Sequence, residues 1–283
     1  MANWGIAMDE SKLTQLKKTA LQVRMDCLHI QKMVGSGHLG GSFSAVELLV
    51  YLYFARMRID PRHPFTEERD IFILSKGHAS LGYYSVLARR GFFPVDELKT
   101  YRRINSRLQG HPKMDSAPGI ESSSGSLGQG LSFGLGMALG YKKLGRSNLV
   151  YVLVGDGELQ EGQIWEAVIL QSRLQLDNLI LIIDQNHLQL DDYVRAVAGE
   201  ENYLERFCAF GFNTIPLNGH DFIGIDQAFG EIRPNQANVL VADTIKGKGI
   251  SFMENNVVWH AKKLSTDEYE LALTELKAEE ASL

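Results

Sequence analysis

The sequence has little of what marks three common classes of protein. Its 283 residues include only two cysteines, Cys27 and Cys208, which excludes a small fold held by many disulfides. Both lie in apolar, helix-patterned surroundings, so we expect core residues in a reducing, cytoplasmic compartment. No apolar run reaches the ~20 residues that span a bilayer, and residues 1–12 lack the pattern of a signal peptide. The net charge is −5 without a basic run. We therefore expect neither nucleic acid nor a membrane as a partner.

What is present is material for one large domain. The hydrophobic content is 45%, enough for a sizeable core. Short apolar runs near residues 71, 150, 180, 213 and 240 alternate with helix-patterned segments. This alternation predicts an α/β fold over residues 1–283, with a doubly wound, mostly parallel sheet and helices on both faces. We expect the binding site at the carboxyl edge of the strands.

One strand–helix–strand unit, residues 149–190, is the most informative stretch. The apolar run 149–154 ends at Gly155-Asp156-Gly157, and a second run, 179–183, ends shortly before Asn186. Parallel strands place both ends at one edge of the sheet, and the 30-residue separation of Asp156 and Asn186 suits such a crossover.

Metal–diphosphate binding is the chemistry that this edge supports. Asp156 offers a carboxylate oxygen and Asn186 an amide oxygen, and Mg²⁺ takes a few such ligands together with phosphate oxygens and water. Gly155 and Gly157 permit close approach of a phosphate to the backbone. A Gly-Asp-Gly turn alone is common at strand ends; its pairing with an asparagine at the next strand end is the stronger signal.

Three histidines lie in polar or glycine-rich loops. His38 is in the glycine-rich segment 35–42, His78 follows the strand near residue 71 at a strand-to-helix corner, and His111 lies in the polar segment 106–130. A loop longer than ~15 residues is usually functional or disordered. Taken singly, each histidine is as well explained by a connector, capping or packing role.

Several local features carry structural predictions. Ser44 and Glu47 form a capping-box pattern that predicts the start of a helix, Gly130, Gly134 and Ala138 suggest helix–helix packing, and residues 266–283 suggest a surface helix. His220, in an Asn-Gly-His-Asp turn, is predicted to be structural.

The ordered motifs resemble those of transketolase. They are SGH at 36–38, LSKGH at 74–78, GHP at 110–112, GIE…GSLGQG at 119–130 and GDGELQEG at 155–162, followed by IDQNHLQLD from residue 183. The resemblance extends from about residue 12 to about residue 265 and covers only the amino-terminal, diphosphate-binding (PP) half of an ordinary transketolase. The chain therefore looks like one subunit of a split transketolase, without the pyrimidine-binding domain.

The resemblance implies a role for each matching residue. The implied metal ligands are Asp156, Asn186 and the carbonyl of Leu188. The implied contacts to thiamine diphosphate come from His78, Gly125, Ser126, Leu127, Asp156, Gly157, Glu161, Asn186 and His260. The implied catalytic and sugar-binding residues are His38, His78, His111 and His260. Glu161 and Glu166 are implied to form acidic contacts across the subunit interface.

The implied reaction is thiamine chemistry on a ketose carbonyl, with transfer of a two-carbon ketol unit to an aldehyde. The implied ion is Mg²⁺, with Ca²⁺ or Mn²⁺ as substitutes, and the substrates are sugar phosphates. In the family, the glutamate that activates the cofactor belongs to the missing half. We therefore expect an inactive chain that needs a second subunit with the pyrimidine-binding and carboxyl-terminal domains, in an α2β2 heterotetramer.

The sequence departs from the family at three loop positions. Leu39 and Ser126 stand where many members have proline, and His187 follows Asn186 where glycine is frequent. These changes bear on substrate preference and leave the implied metal ligands intact.

Two alternatives remain open from the sequence. The first is the corresponding subunit of another thiamine diphosphate enzyme, either a deoxyxylulose-phosphate synthase or a 2-oxo acid dehydrogenase. The second is a non-catalytic binding subunit of the same fold. The three histidines favour transketolase because a polyhydroxylated ketose needs several hydrogen-bonding groups.

Overall fold

The computed structural model describes residues 8–199 and 202–283. The first seven residues, on which the prediction about a signal peptide partly depends, lie outside the described residues. Within the described ranges, no helix has both the length and the apolar character needed to cross a bilayer.

The centre of the fold is a parallel sheet. The strands in chain order are β1 (Ile71–Leu74), β2 (Val150–Gly155), β3 (Leu179–Gln185), β4 (Leu188–Gln189), β5 (Asp192–Tyr193), β6 (Asn213–Asn218) and β7 (Asn238–Asp243). The sheet runs in the order β1-β2-β3-β7-β6 with every neighbouring pair parallel. β4 and β5 form a separate antiparallel hairpin, for which the sequence pattern gave no signal. The five predicted strands are therefore confirmed.

Helices cover both faces of the sheet. They are α1 (Glu10–Val34), α2 (Leu39–Phe43), α3 (Val46–Tyr51), α4 (Ser80–Arg90), α5 (Gln129–Lys143), α6 (Gly162–Leu174), α7 (Val194–Ala198), α8 (Tyr203–Ala209), α9 (Phe222–Gly230) and α10 (Thr266–Ala281). Tyr151 and Leu153 of β2 point into the core beneath α1, α3, α4 and α9. Val152 and Val154 point into the core beneath α5, α6 and α8. A sheet that is apolar on both sides is what buried parallel strands require, and the predicted fold class is confirmed.

The predicted capping box is wrong. Residue 45, not Ser44, caps α3, and no side chain forms a capping bond there. The Ser44 hydroxyl instead donates to Asp184 at 2.6 Å, and Glu47 forms a buried ion pair with Arg24 at 2.6 Å. Both side chains meet distant partners whose charge outweighs a local backbone bond.

Gly130 and Gly134 of α5 pack against the sheet and the turn after β1, and not against another helix as predicted. A Cβ atom at Gly130 would lie 2.5 Å from the Ser75 hydroxyl, and one at Gly134 would lie 2.4 Å from Cγ2 of Val152. Gly136, on the opposite side, has nothing within 4 Å of the same position. The glycines therefore let α5 approach β1 and β2 closely and leave its outer face bare.

The two cysteines differ in burial. Cys27 is fully buried in α1, as predicted, but Cys208 is exposed, so its prediction as a core residue is wrong. It lies on the outer side of α8, whose inner side is occupied by Phe207. The carboxyl-terminal helix α10 is largely exposed, as predicted, and buries Ala272 and Leu276.

Candidate active site

One cavity lies at the carboxyl edge of the sheet. Its volume is about 280 Å³. Asp156 lines it after the end of β2, Asn186 after the end of β3, Leu188 at the start of β4 and His78 in the turn after β1. The parallel strands thus bring together residues that are up to 110 positions apart in the chain.

Asp156 is a buried carboxylate at the centre of this edge. Its oxygens accept hydrogen bonds from the amides of Gly157 at 2.8 Å and His187 at 2.6 Å. Burial, together with the like charge of Asp184, raises the pKa of Asp156 to about 6. A carboxylate in such a place is stabilised when a cation binds beside it.

Asn186, which lines the same cavity, is held by two longer hydrogen bonds. Its side-chain oxygen accepts from the Leu188 amide at 3.2 Å, and its nitrogen donates to Ser44 Oγ at 3.4 Å. The amide oxygen retains a second lone pair for a ligand. Asp156, Asn186 and Leu188 therefore line one cavity, and their role as metal ligands stays a prediction.

Lys76, which lines the cavity, forms a buried ion pair with Asp184. Asp184 accepts hydrogen bonds from Lys76, Ser44 and Thr244. Burial by itself would raise the pKa of Asp184, but the neighbouring Lys76 lowers it overall. The pair ties the ends of β1, β3 and β7 together beneath the site.

Four histidine rings converge on the cavity. His38 lies in contact with each of the others, with ring centroids at 5.6 Å from His78, 6.5 Å from His111 and 5.2 Å from His260. His78 and His260 are 5.4 Å apart. These histidines come from four different loops, so the cluster is a product of the tertiary fold.

The imidazoles are kept neutral. Burial, followed by the nearby positive groups, lowers the pKa of His38 and of His260 to about 4, and the same causes lower that of His78 well below its ordinary value. A neutral imidazole can accept one hydrogen bond and donate another. The buried Nδ1 of His38 has no hydrogen-bond partner in the structure, which leaves it available to a ligand.

Lys246 is a site residue that the sequence pattern alone did not single out. It is 2% exposed, and its Nζ lies 3.2 Å from Nδ1 of His260. Burial and the nearby Lys76 lower the pKa of Lys246 to about 8. The glycine-rich turn 246–249 after β7 has the form of a phosphate-binding turn and could have pointed to Lys246 as a ligand-binding residue, although not to its burial.

Comparison with known proteins identifies the family. The sequence model described as "Transketolase, thiamine diphosphate binding domain" matches residues 16–281. The chain is 40% identical over 280 residues to one of the subunits of the apulose-4-phosphate transketolase of Actinobacillus succinogenes, covering 99% of this chain and 100% of the relative. The chain belongs to the transketolase family.

Other transketolases agree in sequence and in fold. The 6-deoxy-6-sulfo-D-fructose transketolase subunit SqwG of a Clostridium species is 39% identical over 250 residues, which are 88% of this chain and 91% of that subunit. The solved transketolase of Pichia stipitis with sedoheptulose 7-phosphate superposes with a TM-score of 0.87 at 28% identity, covering 95% of this chain and 41% of that chain. The chain thus spans less than half of an ordinary transketolase and nearly the whole of the split subunits.

The residues present fit the transketolase cofactor. Gly41 lines the cavity, and a Cβ there would lie 3.1 Å from Nε2 of His78, so a side chain at this position would crowd that ring. Lys246 supplies positive charge for a diphosphate, and the oxygens of Asp156 and Asn186 suit a hard divalent ion. Within residues 8–199 and 202–283, no three His, Cys, Asp or Glu side chains are grouped to hold a metal.

Some predicted residues are placed elsewhere. Gly125, Leu127 and Gly157 line the cavity, but Ser126 and Glu161 do not. Ser126 and Glu161 are exposed, as is Glu166. The cofactor contact and the interface contact of Glu161 both stay predictions, and the exposure of Glu161 and Glu166 is compatible with the interface contact.

Proposed function

We propose that this chain is the diphosphate-binding subunit of a split transketolase, which transfers a two-carbon ketol unit from a ketose phosphate to an aldose. The observation that carries the proposal is the joint presence of the Asp156–Asn186 edge and the histidine cluster in a chain that matches, over most of its length, relatives named as subunits of transketolases. The names of these relatives disfavour the pyruvate-type alternatives.

Each part of the cavity has a proposed task. Asp156, Asn186 and the Leu188 carbonyl hold Mg²⁺, while Lys246 and His260 face the diphosphate. When bound, thiamine diphosphate supplies the electron sink for cleavage of the carbon–carbon bond next to the ketose carbonyl. His38, His78 and His111 orient the sugar through its carbonyl and hydroxyl groups and exchange protons with them.

A second subunit is needed to complete the site. The outer face of α5 and α6 exposes Phe133 (51%), Ile169 (54%) and Leu170 (40%) beside the bare Gly136. An apolar face of this kind beside a cleft marks a protein–protein interface. We propose that it receives the polypeptide carrying the pyrimidine-binding and carboxyl-terminal domains, in an α2β2 assembly. The combination of the buried thiol Cys27 with the unpaired Cys208 favours a reducing compartment such as the cytoplasm.

The test is reconstitution. The purified chain is mixed with the partner subunit, thiamine diphosphate, Mg²⁺, a ketose phosphate and an aldose, and the sugar products are measured. Turnover is expected with both subunits and not with this chain alone. Turnover by this chain alone, or none with both subunits over a panel of ketoses, would contradict the proposal.

A matched pair of variants tests the metal edge. Loss of even a residue that supports a metal ligand weakens binding by ~10–100-fold, so Asp156→Asn should weaken Mg²⁺-dependent cofactor binding by at least about 100-fold in titration calorimetry of the complex. Asp96→Asn removes an exposed carboxylate outside the cavity and should change nothing. If the two variants bound the cofactor with equal affinity, Asp156 would not be a metal ligand.

A further inference from the structure

Arg102 has an unusual backbone conformation next to the histidine cluster. Its φ angle is +58°, in the left-handed region that costs a residue other than glycine ~1–2 kcal/mol. Its guanidinium lies against Gly110, where a Cβ atom would be 2.7 Å from Cζ of Arg102. Strain of this kind persists only where the surroundings determine the conformation.

A hydrogen-bonded network holds the guanidinium. Nη1 of Arg102 donates to Ser36 Oγ at 3.0 Å, and Nε donates to the Tyr101 hydroxyl at 3.3 Å. The hydroxyl of Tyr101 lies 3.2 Å from Ser80 Oγ, which donates to the Gly110 carbonyl at 2.7 Å. Tyr101 and Ser80 are fully buried, so the contact between their hydroxyls is shielded from competing water, whereas the two bonds that Arg102 donates are partly buried.

The network reaches three of the loops that form the cavity. Its first serine precedes His38 by two residues, its second serine follows His78 by two residues, and its glycine directly precedes His111. Among the described residues, the His111 side chain forms no ion pair or hydrogen bond, and its ring contact is with His38. The hydrogen bond from Ser80 to the Gly110 carbonyl therefore holds the backbone directly before His111.

We propose that Arg102 is a positioning residue for ketol transfer, which fixes the placement of His38, His78 and His111 through Ser36, Tyr101 and Ser80. The inference rests on the proposed function. It assigns to this subunit one determinant of sugar binding that is separate from the metal edge at Asp156 and Asn186.

The charge of Arg102 has a second effect. After burial, Arg102 is the largest cause that lowers the pKa of His38 and that of His111. The charged and titratable groups that face these two rings are Arg102, Lys246, His78 and His260, together with the two rings themselves. Removal of the arginine therefore leaves the burial of the rings in place but raises both pKa values, so the acid limb of kcat/KM moves to higher pH.

The experiment compares three variants in the reconstituted complex. Arg102→Gln should lower kcat/KM for the ketose by about 10- to 100-fold, the range expected for misplaced catalytic groups, and should shift the acid limb upward. Arg102→Lys should restore the acid limb through its charge, but not kcat/KM, since one ammonium cannot hold two partners in the planar geometry of a guanidinium. Arg103→Gln, which removes an exposed neighbour outside the network, is the control and should behave as wild type.

Two further measurements separate the possible outcomes. The dissociation constant of thiamine diphosphate should stay within about twofold in all three variants, and an equal loss of cofactor and sugar binding would overturn the proposal in favour of general damage. Histidine NMR titration of the labelled chain in the complex should show higher midpoints for His38 and His111 in Arg102→Gln. Unchanged midpoints together with wild-type kcat/KM would also overturn it. If the wild-type complex shows no ketol transfer, the proposed function fails, while the titration still decides the placement of the two rings by Arg102.

Discussion

Replacement of Glu47 by glutamine tests the buried charge network behind the cavity. The Glu47 carboxylate accepts two hydrogen bonds from Arg24, at 2.6 and 2.9 Å, and pairs with Nδ1 of His220 at 2.9 Å. Nε2 of His220 accepts from the amide of Ile245, next to Lys246, at 2.8 Å. The predicted structural role of His220 is thus seen in its contacts, and Glu47→Gln leaves Arg24 buried without an anion.

The structure sets the size of the effect. Burial opposes the charge, but Arg24 and His220 lower the pKa of Glu47 to about 2. Linkage turns this depression from an ordinary pKa of ~4.5 into about 3 kcal/mol of stability at pH 7, and removal of one partner of a buried pair typically costs ~3–5 kcal/mol. With a urea slope of ~3 kcal/mol/M for a chain of this size, the midpoint should fall by about 1 M.

The assay is urea unfolding of wild type, Glu47→Gln and a control, Asp60→Asn. The Asp60→Asn substitution removes a surface ion pair with Arg62, so this variant should unfold at the wild-type urea midpoint. Because the folded pKa of Glu47 is below the unfolded one, its contribution is complete above pH ~4.5 and is lost as the pH falls towards ~2. The difference in urea midpoint between wild type and Glu47→Gln should therefore be smaller at pH 3 than at pH 7. The reasoning would be refuted if the urea midpoint of Glu47→Gln fell no further below wild type than that of the control, or if the difference grew as the pH was lowered.

Three further predictions concern packing, charge and thiol chemistry. Gly134→Ala should destabilise the fold by ~1–3 kcal/mol in urea unfolding because the added methyl meets a β2 side chain, whereas Gly136→Ala, made in open space, should not; equal midpoints would contradict the helix-on-sheet packing. Lys246→Met should weaken thiamine diphosphate binding to the complex by about 10-fold or more in calorimetry, because it removes one charge-assisted hydrogen bond. Lys248→Met, outside the cavity, should leave the affinity unchanged. Similar dissociation constants for the two variants would show that Lys246 does not contact the diphosphate. A disulfide reagent should label one thiol per native chain and none in Cys208→Ser, since burial of the other thiol raises its pKa to about 12; labelling of that variant would show that the core opens.

The sheet and the site edge could be predicted because their signals are local. Runs such as 150–154 and 179–183 are apolar throughout, which only strands buried on both faces require. Asp156 and Asn186 follow two such runs, so their convergence follows from parallel pairing alone. The histidines of the short loops needed the family resemblance, because a single histidine in a loop carries no positional information.

What the sequence did not reveal depends on partners distant in the chain. Ser44 and Glu47 have the spacing of a capping box, yet their side chains meet Asp184 and Arg24, 140 and 23 residues away. Lys246 is buried in the cavity, and no local pattern predicts the burial of a lysine. Cys208 was misplaced because an apolar neighbourhood in the sequence does not say which side of a short helix faces the core.

Asp184 connects three separate segments of the chain next to the cavity. One carboxylate, fully hidden from solvent, receives the side chains of a loop before α3, of the turn after β1 and of the end of β7. A shift at any of these points must be shared by the others, since the carboxylate cannot exchange a partner for water. Ser44 also accepts a hydrogen bond from Asn186, and Lys76 precedes His78 by two residues. A change at Asp184 is therefore expected to displace both Asn186 and the histidine cluster.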